Sequence, residues 1–218
     1  MSRRCAVPID TFIRGNILKI ITMTASAVLI CLVAPAAYAD HAYISYDADE
    51  NMVVSGPFNV VIPKPEGARV GTPKHSIEHI QDEELKVSKA GYFADDQFVM
   101  VQIETTNAPA GTLINKNLPV YEIGDRDFRA REMCIEMSQE ELDADDDPLF
   151  EYVELQNVQI VPAVQTVQLV VTTEDGKGEG AILFMRNVPG GCDTLTPEFK
   201  EKFDAAFGRF VESIQTAN

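Results

Sequence analysis

Basic residues are scarce in this chain. It has 18 lysines and arginines against 34 aspartates and glutamates over 218 residues, a formal net charge of −16. A chain this acidic lacks the positive surface that neutralises phosphates or anionic lipid headgroups, which argues against nucleic acid or an anionic membrane surface as a partner. Cysteine is sparser still, with four residues and no C-x-x-C, so neither dithiol redox chemistry nor a cysteine zinc site has a foothold. Three more signatures are missing: G-x-S-x-G for an activated serine, a phosphate-cradling P-loop, and the glycine fingerprint of dinucleotide binding. No internal repeat or low-complexity tract breaks the chain into modules.

Only one apolar run is long, IITMTASAVLICLVA from Ile20 to Ala34. It falls short of the ~20 apolar residues that span a bilayer, and Pro35 ends it. Arg3, Arg4, Arg14 and Lys19 precede it, and the small-residue motif Ala37-Tyr38-Ala39 follows. That order predicts a secretory signal peptide over residues 1–39, cut after Ala39, with a retained membrane anchor as the alternative. Ser2-Arg3-Arg4 is a poor twin-arginine signal, because Pro8 and Asp10 separate it from the apolar run. Leu29-Ile30-Cys31 is a poor lipid-attachment box, because Ile30 is not small. The expectation is a periplasmic or extracellular protein of residues 40–218, long enough for a single domain. Cleavage removes four basic residues and one acid, taking the formal charge to −19.

Cys5 and Cys31 leave with the signal, so Cys134 and Cys192 remain. An even pair in an oxidising compartment predicts a disulfide between them.

Strand signals dominate the rest. MVVSGPFNVVI (52–62) reads as two short strands broken at Ser55-Gly56-Pro57, and Pro63, Pro65, Gly67, Gly71 and Pro73 mark an irregular connection. Residues 75–89 read as a short, mostly exposed helix with Ile77, Ile80 and Leu85 as its apolar points. FVMVQI (98–103) is a strand by its β-branched content, and FRAREMCIEM (128–137) fits strand or helix, with strand favoured by its neighbours. YVELQNVQIV (152–161) and VQTVQLVV (164–171) read as strands separated by Pro162. Asp175-Gly176 turns the chain into AILFMRNV (181–188), whose apolar residues on both faces predict a central strand.

The C-terminal element is the most sharply defined. Thr196 suits the N-cap, Pro197 the first turn and Glu198 the positive end of the helix dipole. Phe199, Phe203, Ala206, Phe207, Phe210 and Ile214 then recur at helical spacing, with charged residues between them. The phenylalanine stripe is read as a face docked on a sheet rather than a partner-binding face. The class expected is α+β: a mainly antiparallel sheet packed by one C-terminal amphipathic helix. The strand and tail CDTLTPEFKEKFDAAFGRFVESIQ resemble the end of small exported domains of the PsbP-like and DcrB-like kind, where a terminal helix ends near a serine–hydrophobic pair, here Ser213-Ile214. The resemblance is confined to the C-terminal third. It implies a non-enzymatic accessory or binding role and carries over no site residue.

Two constellations scan as chemistry. DADDDPLFEYVE (143–154) places Asp143, Asp145, Asp147, the Leu149 backbone, Glu151 and Glu154 at the ligand positions of an EF-hand loop. Pro148 stands where that loop turns on a glycine; it fixes φ and removes a donor, so an EF-hand proper is excluded. What survives is a looser calcium site of Asp143, Asp145 and Asp147, set against a plainly solvated acidic turn leading into a strand near Phe150. The second is His75-Ser76-Ile77-Glu78-His79, which matches H-x-x-E-H. On a helix its histidines share a face and both reach one zinc, Glu78 polarises the bound water, and Glu151 or Glu154 supplies the third ligand. The weight lies against this: the motif has only three fixed positions, and Pro73 just before it and acidic residues just after it fit a solvated surface helix.

Two functional readings follow. The first is an exported, acidic, non-catalytic binding or accessory protein that needs no cofactor. The alternative is a small metal-dependent hydrolase or metal-binding domain using zinc at His75 and His79 or calcium at the aspartates.

Overall fold

The computed structural model describes residues 42–80, 83–107, 117–136, 152–153, 155–156 and 162–217, all within one compact unit, Ala37–Asn218. Alternation of apolar side chains along the strands builds two antiparallel sheets. The larger is formed by β4 (Arg69–Val70), β5 (Lys74–Ile80), β6 (Glu83–Phe93), β7 (Gln97–Thr106), β8 (Val120–Ile123), β9 (Arg126–Glu136), β10 (Ala163–Thr172) and β11 (Gly178–Asn187). Its order is β4-β6-β7-β11-β10-β9-β8, with β5 also paired to β6. The smaller sheet holds β1 (Ile44–Tyr46), β2 (Met52–Val54), β3 (Val60–Ile62) and β12 (Gln215–Thr216) in the order β1-β2-β3-β12.

The central strands are apolar on both faces because both faces are covered. Successive side chains of a strand point to opposite sides. Val99, Val101 and Ile103 of β7, Val167, Leu169 and Val171 of β10, and Ile182 and Phe184 of β11 therefore enter one core. Phe98, Met100, Val164, Ala181, Leu183 and Met185 enter a second core on the far face, closed by Tyr152 and Val153. β11 lies between β7 and β10, as its two apolar faces predict.

The first core is capped by helix α1 (Pro197–Ser213) and the small sheet. Thr196 caps the helix, its Oγ1 accepting from Phe199 N at 3.1 Å. Phe203, Phe207 and Phe210 are buried around Phe184, with ring centroids 5.5, 5.7 and 5.2 Å from it. Burying each such ring contributes on the order of 2–3 kcal/mol. Arg186 anchors the helix start, pairing with Asp96 at 2.7 Å while its guanidinium lies 5.8 Å from the Phe199 ring. After α1 the chain re-enters the small sheet as β12, so the C-terminus pairs with β3 near the start of the domain. Gly180 lets the small sheet approach closely: a Cβ there would lie 1.8 Å from Cε1 of Phe58.

Most strand expectations hold, including 52–54, 60–62 and 98–103, and the ambiguous segment is strand β9 over 128–136. The expected irregular connection after Ile62 contains the short strand β4. The fold is mostly antiparallel sheet with one long C-terminal helix, compatible with α+β but dominated by sheet.

Two expectations are corrected. Residues 75–80 and 83–89 are not a helix; they belong to the antiparallel strands β5 and β6, in register from Lys74↔Lys89 to Ile80↔Glu83. The pairing of β6 with β7 over Leu85↔Thr106 to Phe93↔Phe98 supplies the backbone partners that a charged, weakly apolar helix could not match. The strand expected over 152–161 is also absent where the chain is described: Tyr152, Val153 and Leu155 are helical. β10 pairs directly with β9, leaving no place between them for another strand, and Tyr152 packs on the sheet's far face instead.

Candidate functional site

The extended backbone of β5 determines what its two histidines can do. Side chains four apart on a strand share a face, so His75 and His79 point the same way. Their Cα atoms, however, are separated by about 13 Å, four strand residues at ~3.3 Å each. The helical premise of the zinc reading is thus replaced by a spacing too wide for one metal, whose nitrogen ligands lie at ~2.0–2.1 Å. Among the described residues no group of three or more His, Cys, Asp or Glu side chains is placed to hold a metal ion. Glu151 and Glu154, the suggested third ligands, and Asp143, Asp145 and Asp147 of the calcium reading lie outside the described residues.

His75 has a specific partner that the motif did not suggest. Its Nδ1 lies 2.8 Å from Oγ of Ser88, directly opposite on β6. A serine–histidine pair at this distance has the form of an activated nucleophile and its base. Burial removes that role: Ser88 is 0% exposed, and its Oγ also accepts the backbone N–H of Tyr43 at 3.2 Å. The pair joins three chain segments, the lead into β1, β5 and β6. The Tyr43 hydroxyl lies 2.9 Å from Oγ1 of Thr105, extending the link to β7. Lys89, the neighbour of Ser88, is also buried, and it is engaged rather than free.

Three tyrosines form a second group of perturbed residues. Burial pushes the phenol of Tyr46 up to about 12 and raises those of Tyr92 and Tyr152 further. All three donate to backbone carbonyls: Tyr46 to Gly91 at 2.9 Å, Tyr92 to Glu50 at 2.8 Å with Ile62 at 3.1 Å, and Tyr152 to Thr72 at 3.1 Å. Tyr46 also accepts from Gly91 N at 3.1 Å. Protonated, carbonyl-bound phenols tie loops to strands; they are not poised as bases. Around them Gln156 Oε1 accepts from Thr72 N at 3.0 Å, and the Arg69 guanidinium donates to the Gln156 carbonyl. This lattice holds the helical Tyr152 segment over the β4–β6 end of the sheet.

The disulfide joins Cys134 of β9 to Cys192, in the short 3-10 turn Cys192–Thr194 ahead of α1. Beside it Glu136 Oε2 accepts from Cys192 N at 3.3 Å. Glu132 receives Gln165 Nε2 at 2.8 Å and Lys200 Nζ at 2.6 Å. These bonds fasten the helix start to β9 and β10, as the pairing of the two cysteines predicts. The glycine-rich turn at 188–192 delivers Cys192 to its bond.

Sequence reasoning missed Ser88 and the tyrosines because Tyr43 lies 45 residues from Ser88, and the carbonyls that hold the tyrosines lie 30–80 residues from them in the chain. No helix among the described residues is long and apolar enough to cross a membrane. No family model matches the chain, and no significant match was found among curated proteins or among solved structures.

Proposed function

We propose that this is an exported, acidic, non-catalytic protein that binds or supports a partner in the envelope or outside the cell. The observation that carries this reading is the engagement of its most reactive-looking groups in architecture. His75 is bonded to a fully buried serine, and three tyrosines are bonded to carbonyls. The leader over residues 1–39, with its basic start and Ala37-Tyr38-Ala39 end, supports export. The Cys134–Cys192 disulfide suits an oxidising compartment. The excess of acids favours a neutral or cationic partner over nucleic acid or anionic lipid. The PsbP-like and DcrB-like character of the C-terminal tail is consistent with an accessory role.

The test is capture from the native envelope with residues 40–218 as bait, with elemental analysis of the same untagged sample. A stoichiometric partner with metal well below one equivalent supports the proposal. Zinc or calcium at one equivalent, retained through dialysis and accompanied by hydrolysis of peptide or ester substrates, overturns it in favour of the metal-dependent alternative.

A further inference from the structure

We draw no further inference here: the strongest candidate, the outer edge of β5 with Ile77 45% exposed between His75 and His79, is an edge without a paired strand among the described residues, and nothing in the structure shows what covers it.

Discussion

Glu179 on β11 stands directly across from Glu104 on β7, two carboxylates in register on neighbouring central strands. Glu179 stays exposed on the sheet surface, but partial desolvation raises its pKa, and the charge of Glu104 raises it further. An acid with a raised folded value binds its proton more tightly in the folded than in the unfolded protein. Stability therefore rises as pH falls through that value towards the ordinary carboxylate range, and is lost again as pH rises above it. Like charges directly opposite are destabilising, and a cross-strand pair is worth about 0.2–1 kcal/mol. Glu179→Gln is expected to raise the unfolding free energy at pH 7, read from urea denaturation, by about 0.2–1 kcal/mol at most. The gain shrinks in high salt and vanishes near pH 4. A variant no more stable than the parent at pH 7 and low salt would show that the pair is not repulsive.

The disulfide closes a loop with a sequence separation of 58. Chain-entropy reasoning assigns such a cross-link about 4 kcal/mol of stability. Replacing both Cys134 and Cys192 with alanine is expected to lower the unfolding free energy by an amount of that order, measured by chemical denaturation. The far-ultraviolet circular dichroism of the folded variant should be unchanged, because Phe203, Phe207 and Phe210 still dock α1 on Phe184. Loss of the helix signal under native conditions would instead make the bond the main attachment of α1.

Phe203 is fully buried in the helix–sheet core. Phe203→Ala should cost about 3–5 kcal/mol, the range for emptying a buried aromatic site. Lys202→Ala on the same helix removes only an exposed, solvent-screened pair with Glu198 and should change stability far less. Thermal unfolding of the two variants checks the contrast; equal shifts would contradict the assignment of the phenylalanine stripe to the core.

The two histidines of the H-x-x-E-H segment should behave differently. His75→Ala removes a partner from buried Ser88 and is expected to cost about 1–2 kcal/mol. His79 is exposed, and His79→Ala should change stability by less than about 0.5 kcal/mol. Zinc titrated into the parent should leave both variants shifted from it by the same amounts as in chelator. Equal losses for the two variants that appear only with zinc present would restore the shared metal site.

How much of this could be read from residues alone varies with how local the cause is. The N-cap at Thr196, Pro197 and the phenylalanine spacing specify α1 within a few turns of chain, and the helix begins where those residues predict. Asp175-Gly176 similarly specifies the turn between β10 and β11, with Gly176 at φ 69°. His75–Lys89 carries no such local instruction. Its pattern is weakly amphipathic either way, and the register of β6 with β7 and of β5 with β6 makes 75–80 and 83–89 strand.

The same division separates what the amino-acid order determined from what only the tertiary structure decided. Acidity, the leader-like first 39 residues, the candidate cysteine pair, the terminal helix and most strands follow from composition and short-range pattern. The order of the sheet, the second core under Tyr152 and the fate of His75 depend on segments far apart in sequence meeting at fixed distances. A motif specifies which side chains are available; only the folded backbone sets whether they converge. In this chain an extended strand separates His75 from His79 and buries the serine beside His75.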